Sequence, residues 1–183
     1  MISPLENNLQ DQTVIMFVGP DKTGKTNIAR AVSETLKIPY FKASSERSTF
    51  CDDRSQFIEQ LRHADMRAFD LIKQTGVSVV MDRAYPCEYA YSAVTGRPTD
   101  LEMLRAEDDA YASIGAVIVL CYRTSYAGLR DDLDESIDAA KLWELTRAYF
   151  TFAEKFTKCR VLKLCVDSED LQSQVSQVIT FVG

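Results

Sequence analysis

The sequence predicts a three-layer α/β fold, a five-stranded parallel sheet with helices on both faces. Three observations carry this. Short apolar, β-branched runs recur along the chain, and each is followed by a stretch with apolar residues at helical spacing. Strands alternating with helices build parallel βαβ units, not hairpins. At 183 residues, 46% of them hydrophobic, the chain is long enough for one such core, so one domain spanning 1–183 is expected.

The elements follow in order. Thr13–Val18 reads as a buried strand, and Asn27–Leu36 continues it as an amphipathic helix. Ile38–Ala43 is a short second strand, and the polar run Ser44–Asp53 is a loop. Ser55–Gln74 reads as a long helix with Phe57, Ile58, Leu61, Ala64, Ala68, Leu71 and Ile72 on its apolar face, closed by Gly76. Val77–Met81 is the third strand and ends on Asp82-Arg83. A helix over Glu88–Ala93 and a turn over Thr95–Pro98 come next, and Thr99 with Glu102 reads as a capping box for a helix to about Ser113. Ala116–Cys121 is the fourth strand. A charged stretch, Arg123–Asp138, precedes a helix to about Phe156. Arg160–Val166 is the fifth strand and Ser168–Val182 the closing helix.

Composition narrows the function classes. A net charge of −6 supplies no general nucleic-acid footprint, which would want a basic face. Met1–Gln12 is polar without an apolar signal core, and no run approaches a membrane span. Cys51, Cys87, Cys121, Cys159 and Cys165 are scattered without a C-x-x-C pair, and Cys121 and Cys165 fall in apolar strand runs, so reduced buried thiols are expected. The single histidine, His63, argues against a histidine-based metal cluster or triad. A cytoplasmic protein without membrane association is expected.

The chemistry centres on Gly19-Pro20-Asp21-Lys22-Thr23-Gly24-Lys25-Thr26, which fits the phosphate-binding pattern G-x-x-x-x-G-K-[ST] between a strand and a helix. Gly19 and Gly24 let the backbone curl so that amides point at phosphate oxygens, and the positive end of the following helix faces the same anion. Lys25 can bridge the terminal phosphates and the Thr26 hydroxyl can ligate Mg²⁺. A nucleoside triphosphate is the expected ligand. The third strand supplies the rest of the site: Asp82 at its end suits a Mg²⁺-associated carboxylate, and the adjacent Arg83 can grip a second phosphate bidentately. Arg47, in the loop after strand two, lies at the same end of the sheet.

Three stretches resemble the P-loop nucleoside monophosphate kinases, the thymidylate kinases above all. Asp21 to Thr26 is similar to the family loop D-R-x-G-K-[ST], Ser45-Glu46-Arg47-Ser48-Thr49 to F-P-x-R-x-T, and Asp82 to Tyr91 to D-R-Y-x-x-S-x-x-A-Y. They occur in family order and spacing through the first half of the chain. The resemblance implies a P-loop NTPase fold, ATP and Mg²⁺ as donor and cofactor, and a homodimer. Gly19, Asp21, Lys22, Thr23, Gly24, Lys25 and Thr26 would hold ATP. Asp21 would approach the acceptor sugar's 3′-hydroxyl, Arg47 and Arg83 would grip the acceptor phosphate, and Tyr91 would line the deoxyribose. Lys22 stands where one branch of the family has a catalytic arginine, and Arg123 and Arg130 lie where the other branch carries lid arginines, in a lid segment at about 123–138.

The chain departs from the family in the helix before strand three. The pattern F-A-x-x-R meets Arg62-His63-Ala64-Asp65-Met66-Arg67, without the aromatic and with the arginine displaced by one position to Arg67. One residue turns a helical side chain by about 100°. Cys87 also replaces the usual serine. The expected acceptor is therefore a pyrimidine deoxynucleoside monophosphate, dTMP-like or modified. Three alternatives remain open in the sequence: a deoxynucleoside kinase with Glu46 as its base, a kinase for a modified base within DNA, and a nucleotide-binding module without phosphotransfer. The related deoxynucleoside kinases resemble E-R-S after strand three, where this chain has Asp82-Arg83-Ala84.

Overall fold

The computed structural model describes residues 12–42, 67–129, 138–167 and 169–183. The element order is β1 (Val14–Val18), α1 (Lys25–Leu36), β2 (Tyr40–Lys42), α2 (described over 67–75), β3 (Val79–Asp82), α3 (Pro86–Thr95), α4 (Leu101–Ser113), β4 (Val117–Tyr122), α5 (Ala139–Lys155), β5 (Arg160–Cys165) and α6 (Leu171–Val182). The strands form one sheet in the order β2-β3-β1-β4-β5, and every pairing is parallel. The predicted three-layer architecture is the observed one.

β1 lies in the middle of the sheet and is buried at all five positions, as a parallel strand covered on both faces must be. Its side chains alternate between two cores. Val14, Met16 and Val18 join an aromatic-rich core with residues of α2, α3, α4 and α5, among them Phe69, Tyr85, Tyr91, Tyr111, Tyr149 and Phe152. Ile15 and Phe17 face an aliphatic core built with Ile28, Ala29 and Val32 of α1 and Val175 and Val178 of α6.

The aromatic core encloses a polar knot. Asp108 on α4 is buried and accepts hydrogen bonds from the Tyr85 hydroxyl (2.6 Å), the Thr157 hydroxyl (2.5 Å) and the Lys158 amide (2.7 Å). Tyr85 in turn stacks on Tyr111. One carboxylate thus ties the segment after β3 to α4 and to the turn between α5 and β5, and its desolvation is offset by three donors.

Several boundaries differ from expectation, each for a local reason. α4 is capped by Asp100, not Thr99: the Asp100 carboxylate accepts from the amides of Glu102 and Met103, both at 3.0 Å, and so starts the helix at Leu101. α3 begins at Pro86, since proline suits the first helical turn. β2 is confined to the three residues that pair with Val80, Met81 and Asp82. Gly76 follows α2 as expected, at φ +63° with its amide on the Ile72 carbonyl. The expected long helix is described only from residue 67, and the loop Ser44–Asp53 lies outside the described residues. Among the described residues no helix is long and apolar enough to cross a membrane.

Candidate active site

The carboxyl ends of β1, β2 and β3 and the start of α1 enclose a cleft of about 210 Å³ lined by Asp21, Lys22, Gly24, Lys25, Thr26, Asn27, Lys42 and Arg83. Ligands of parallel α/β sheets collect at this end. The phosphate loop reaches it by a sharp exit from β1. Gly19 sits at φ +139°, and a Cβ there would come within 2.1 Å of the Cys121 carbonyl oxygen on β4, so the loop lies flat against the sheet only with glycine. Gly24, at φ +70°, starts α1. α4, α5 and α6 are each capped by an aspartate, Asp100, Asp138 and Asp170. α1 has no side-chain cap among the described residues, and its positive end opens on the cleft.

Within the loop the side chains divide their roles. Lys25 is buried, with its Nζ 3.0 Å from the Pro20 carbonyl and 3.1 Å from Asp21 Oδ1. Thr23 is buried and turns its hydroxyl onto the Pro20 carbonyl at 2.9 Å, so it shapes the loop and leaves anion binding to the backbone. Lys22 lines the cleft from a left-handed backbone, φ +65°.

Asp21 joins the loop to the end of β3 and to α3. Its Oδ1 receives Lys25 and the Arg83 guanidinium, and its Oδ2 accepts the Tyr91 hydroxyl at 2.7 Å. Asp21, Arg83 and Tyr91, named separately from the sequence, are therefore in direct contact. Burial opposes the charge on Arg83, but the Asp21 carboxylate outweighs it and holds the guanidinium protonated well above its ordinary range. Burial, then the Asp21 charge, pushes the Tyr91 phenol far up, so it stays a donor. Arg83 itself has φ +73°, a conformation that costs a branched or bulky residue and is usually taken by glycine. Its amide donates to the Phe17 carbonyl at 2.9 Å, which locks this turn to β1.

Thr26 and Asp82 also meet as expected, with the Thr26 hydroxyl 2.6 Å from Asp82 Oδ2. The same oxygen accepts the Tyr40 hydroxyl at 2.8 Å. Asp82 is fully buried, and its Oδ1 has no hydrogen-bond partner among the described residues. A buried carboxylate oxygen left over beside a threonine hydroxyl and a phosphate loop fits Mg²⁺, which takes one or two protein ligands and completes its shell with phosphates and water. Among the described residues there is no group of three or more His, Cys, Asp or Glu that could hold a metal ion.

Other candidates fall elsewhere. Arg123 donates from Nε to the Lys22 carbonyl (2.6 Å) and from a terminal nitrogen to Asp167 (2.5 Å), bracing the phosphate loop from the ends of β4 and β5. Arg67 is exposed on α2 and is not among the residues lining the cleft. Tyr89 packs on Phe152 and Phe156, and Tyr85 belongs to the Asp108 knot, so of the three tyrosines of this segment only Tyr91 reaches Asp21. Cys121 is a buried thiol as expected, and burial pushes it up to about 12; Cys165 is half-buried and likewise outside any disulfide. Arg47, Arg130, Glu46, His63 and Cys51 lie outside the described residues. Sequence reasoning missed Tyr40 and Lys42. Their spacing of two on β2 puts them on one face, but only the parallel register with β3, which sets Lys42 level with Asp82, brings that face to the site.

The chain aligns over 92% of its own length and 95% of that of the Bacillus subtilis YorR protein solved in complex with phosphorylated GDP, at TM-score 0.66 and 17% identity. Thymidylate kinase from Ehrlichia chaffeensis aligns over 94% of this chain and 100% of its own, at TM-score 0.61 and 16% identity. Deoxyadenosine kinase from M. mycoides with bound dATP aligns over 93% and 98%, at TM-score 0.60 and 15% identity. The fold is that of the P-loop nucleotide kinases. Residues 15–79, from β1 to the start of β3, also match the family described as "ATPase family associated with various cellular activities (AAA)". No curated protein matches the chain in sequence.

Proposed function

We propose that this protein is an ATP-dependent phosphotransferase that moves the γ-phosphoryl group to a pyrimidine deoxynucleoside monophosphate. One observation carries the reading: Arg83, from the far end of β3, lines the same cleft as Lys25 and is linked to it through Asp21. A site that only bound a triphosphate would have little use for a guanidinium on this side of the phosphate loop, half-buried and paired with Asp21. Thymidylate kinase and deoxyadenosine kinase share the backbone nearly equally, so the side chains must separate the two acceptor types. A nucleoside hydroxyl needs a carboxylate base. Asp21, the carboxylate among the described residues that line the cleft, is already engaged by Lys25, Arg83 and Tyr91.

The chemistry is positioning and charge neutralisation. An acceptor phosphate is ionised at pH 7 and can attack without a base. Lys25 and the start of α1 hold the donor phosphates, Arg83 orients the acceptor phosphate, and Tyr91 fixes Asp21 beside the sugar. Mg²⁺, held by Thr26 and Asp82 with the nucleotide, would neutralise charge on the β- and γ-phosphates. Arg123 supports the loop that carries Lys22.

The test is ADP formation from Mg²⁺-ATP with dTMP, dUMP, dCMP, 5-modified pyrimidine monophosphates, purine deoxynucleotides and the matching nucleosides. Turnover with a pyrimidine monophosphate, lost at least about 100-fold in Arg83→Ala, is expected. Turnover confined to nucleosides would replace this reading with a nucleoside kinase. Tight ATP binding without turnover on any of them would leave a polymer acceptor or a binding module.

A further inference from the structure

Among the described residues, the cleft contains one cation that neither donor binding nor Arg83 accounts for, Lys42. Lys42 is the last residue of β2, level with Asp82 of β3 and one strand removed from the phosphate loop. It shares its strand face with Tyr40, whose hydroxyl reaches Asp82, and Lys42 lines the cleft together with Lys22, Lys25 and Arg83. Among the described residues, four cations and one carboxylate, Asp21, therefore line the cleft. Lys22 and Lys25 come from the phosphate loop. Lys42 and Arg83 come from the adjacent ends of β2 and β3, on the side away from β4.

We propose that Lys42 is a second ligand of the acceptor phosphate, facing the same dianion as Arg83 from the neighbouring strand. This rests on the phosphotransfer reading above and sharpens its substrate class to acceptors that carry a phosphate dianion. Charge supports the assignment. A Mg²⁺-bound triphosphate is matched by the two loop lysines and the positive end of α1, and Arg83 shares Asp21, so with a neutral hydroxyl acceptor Lys42 would face no further anion among the described residues of the lining. A phosphate dianion held between Arg83 and Lys42 supplies that charge. Lysine suits the place: a compact charge on a long flexible stem can follow the phosphate, while Arg83 supplies the fixed planar fork.

The test compares the wild type with Lys42→Gln and Lys42→Arg in steady-state kinetics, varying ATP and acceptor separately. Binding of the monophosphate and of its parent nucleoside to the ADP-loaded protein is measured by calorimetry. In Lys42→Gln the acceptor KM and monophosphate Kd rise about tenfold, with the ATP KM and the nucleoside Kd within about twofold of the wild type. Lys42→Arg restores most of the loss. Lys42 is exposed, so the thermal midpoint of both variants stays near that of the wild type. An unchanged acceptor KM, or a rise confined to the ATP KM, overturns the proposal, and so does an equal loss for monophosphate and nucleoside. If the wild type itself turns over no monophosphate, the functional reading falls instead, and the two failures are told apart by the wild-type arm alone.

Discussion

The two faces of the sheet are packed by different means. Under α1 and α6 the core is aliphatic, with Ile15, Ile28, Val32, Val175 and Val178, and the phosphate loop emerges above it. Under α3, α4 and α5 it is aromatic and carries hydroxyls and carboxylates: Tyr85, Asp108, Tyr91, Tyr111 and Tyr149. Aliphatic packing is non-directional and tolerates exchange at constant volume. The Tyr85 hydroxyl on Asp108 and the Tyr91 hydroxyl on Asp21 are directional contacts, and each specifies a single arrangement. The phosphate loop, the proposed donor site, therefore stands on a generic support, and its precision comes from the loop backbone. The Arg83–Tyr91 side, the proposed acceptor site, stands on a polar scaffold, and its precision comes from side chains.

The sharpest way to break the donor half is through backbone alone. In Gly19→Ala the added methyl meets the Cys121 carbonyl at 2.1 Å, with no flexible atom to yield. We expect a loss of roughly 3 kcal/mol, seen as a fall of about 6–12 °C in the thermal midpoint. ATP binding followed by calorimetry should fall below detection. A variant that kept the wild-type ATP affinity would show that the loop can lift off β4 and still bind, so that contact with the sheet is not what shapes it.

The acceptor half should yield to one atom. Tyr91→Phe removes the hydroxyl from Asp21 Oδ2 and keeps the ring in its core. A hydrogen bond to a charged group is worth about 1.5 kcal/mol or more, so the acceptor KM should rise roughly tenfold. The ATP KM should stay put. A parallel rise in both would show that Asp21 serves the two halves as one unit.

The smallest effect lies at the seam between them, at Tyr40. Burial, then the hydrogen bond and charge of Asp82, raise its phenol to about 12 from an ordinary value of 10. The folded state prefers the protonated phenol, so this contribution to stability is whole below pH 10 and is lost as the pH climbs towards 12. Urea unfolding should find Tyr40→Phe less stable than the wild type by about 1 kcal/mol at about pH 8. That gap should close between pH 10 and 12. A constant gap across that range would remove Asp82 as the partner.

The same contrast explains what could be read from the chain. The donor half is largely local: strand, glycine loop and helix lie within residues 14–36, and Gly24 and Lys25 act through their neighbours in sequence. Asp82 and Arg83 were legible because they end an apolar strand. Lys42 and Tyr40 were not, because their meaning comes from parallel register with β3, which no local pattern encodes. The brace between Arg123 and Asp167 spans two strand ends and was invisible for the same reason. Thr99 looked like a cap until Asp100, a stronger acceptor one residue on, took the amides.

Residue 83 is where folding and the proposed phosphotransfer ask for different amino acids. Its left-handed backbone would be met at less cost by glycine or asparagine, while the proposed chemistry calls for a guanidinium. At Gly19 both demands agree. A library of variants selected for soluble expression alone should keep glycine at 19 and drift away from arginine at 83. The same library selected for turnover should recover both. Position 83 would then report, by its amino acid alone, whether a lineage of this fold was still being asked to do chemistry.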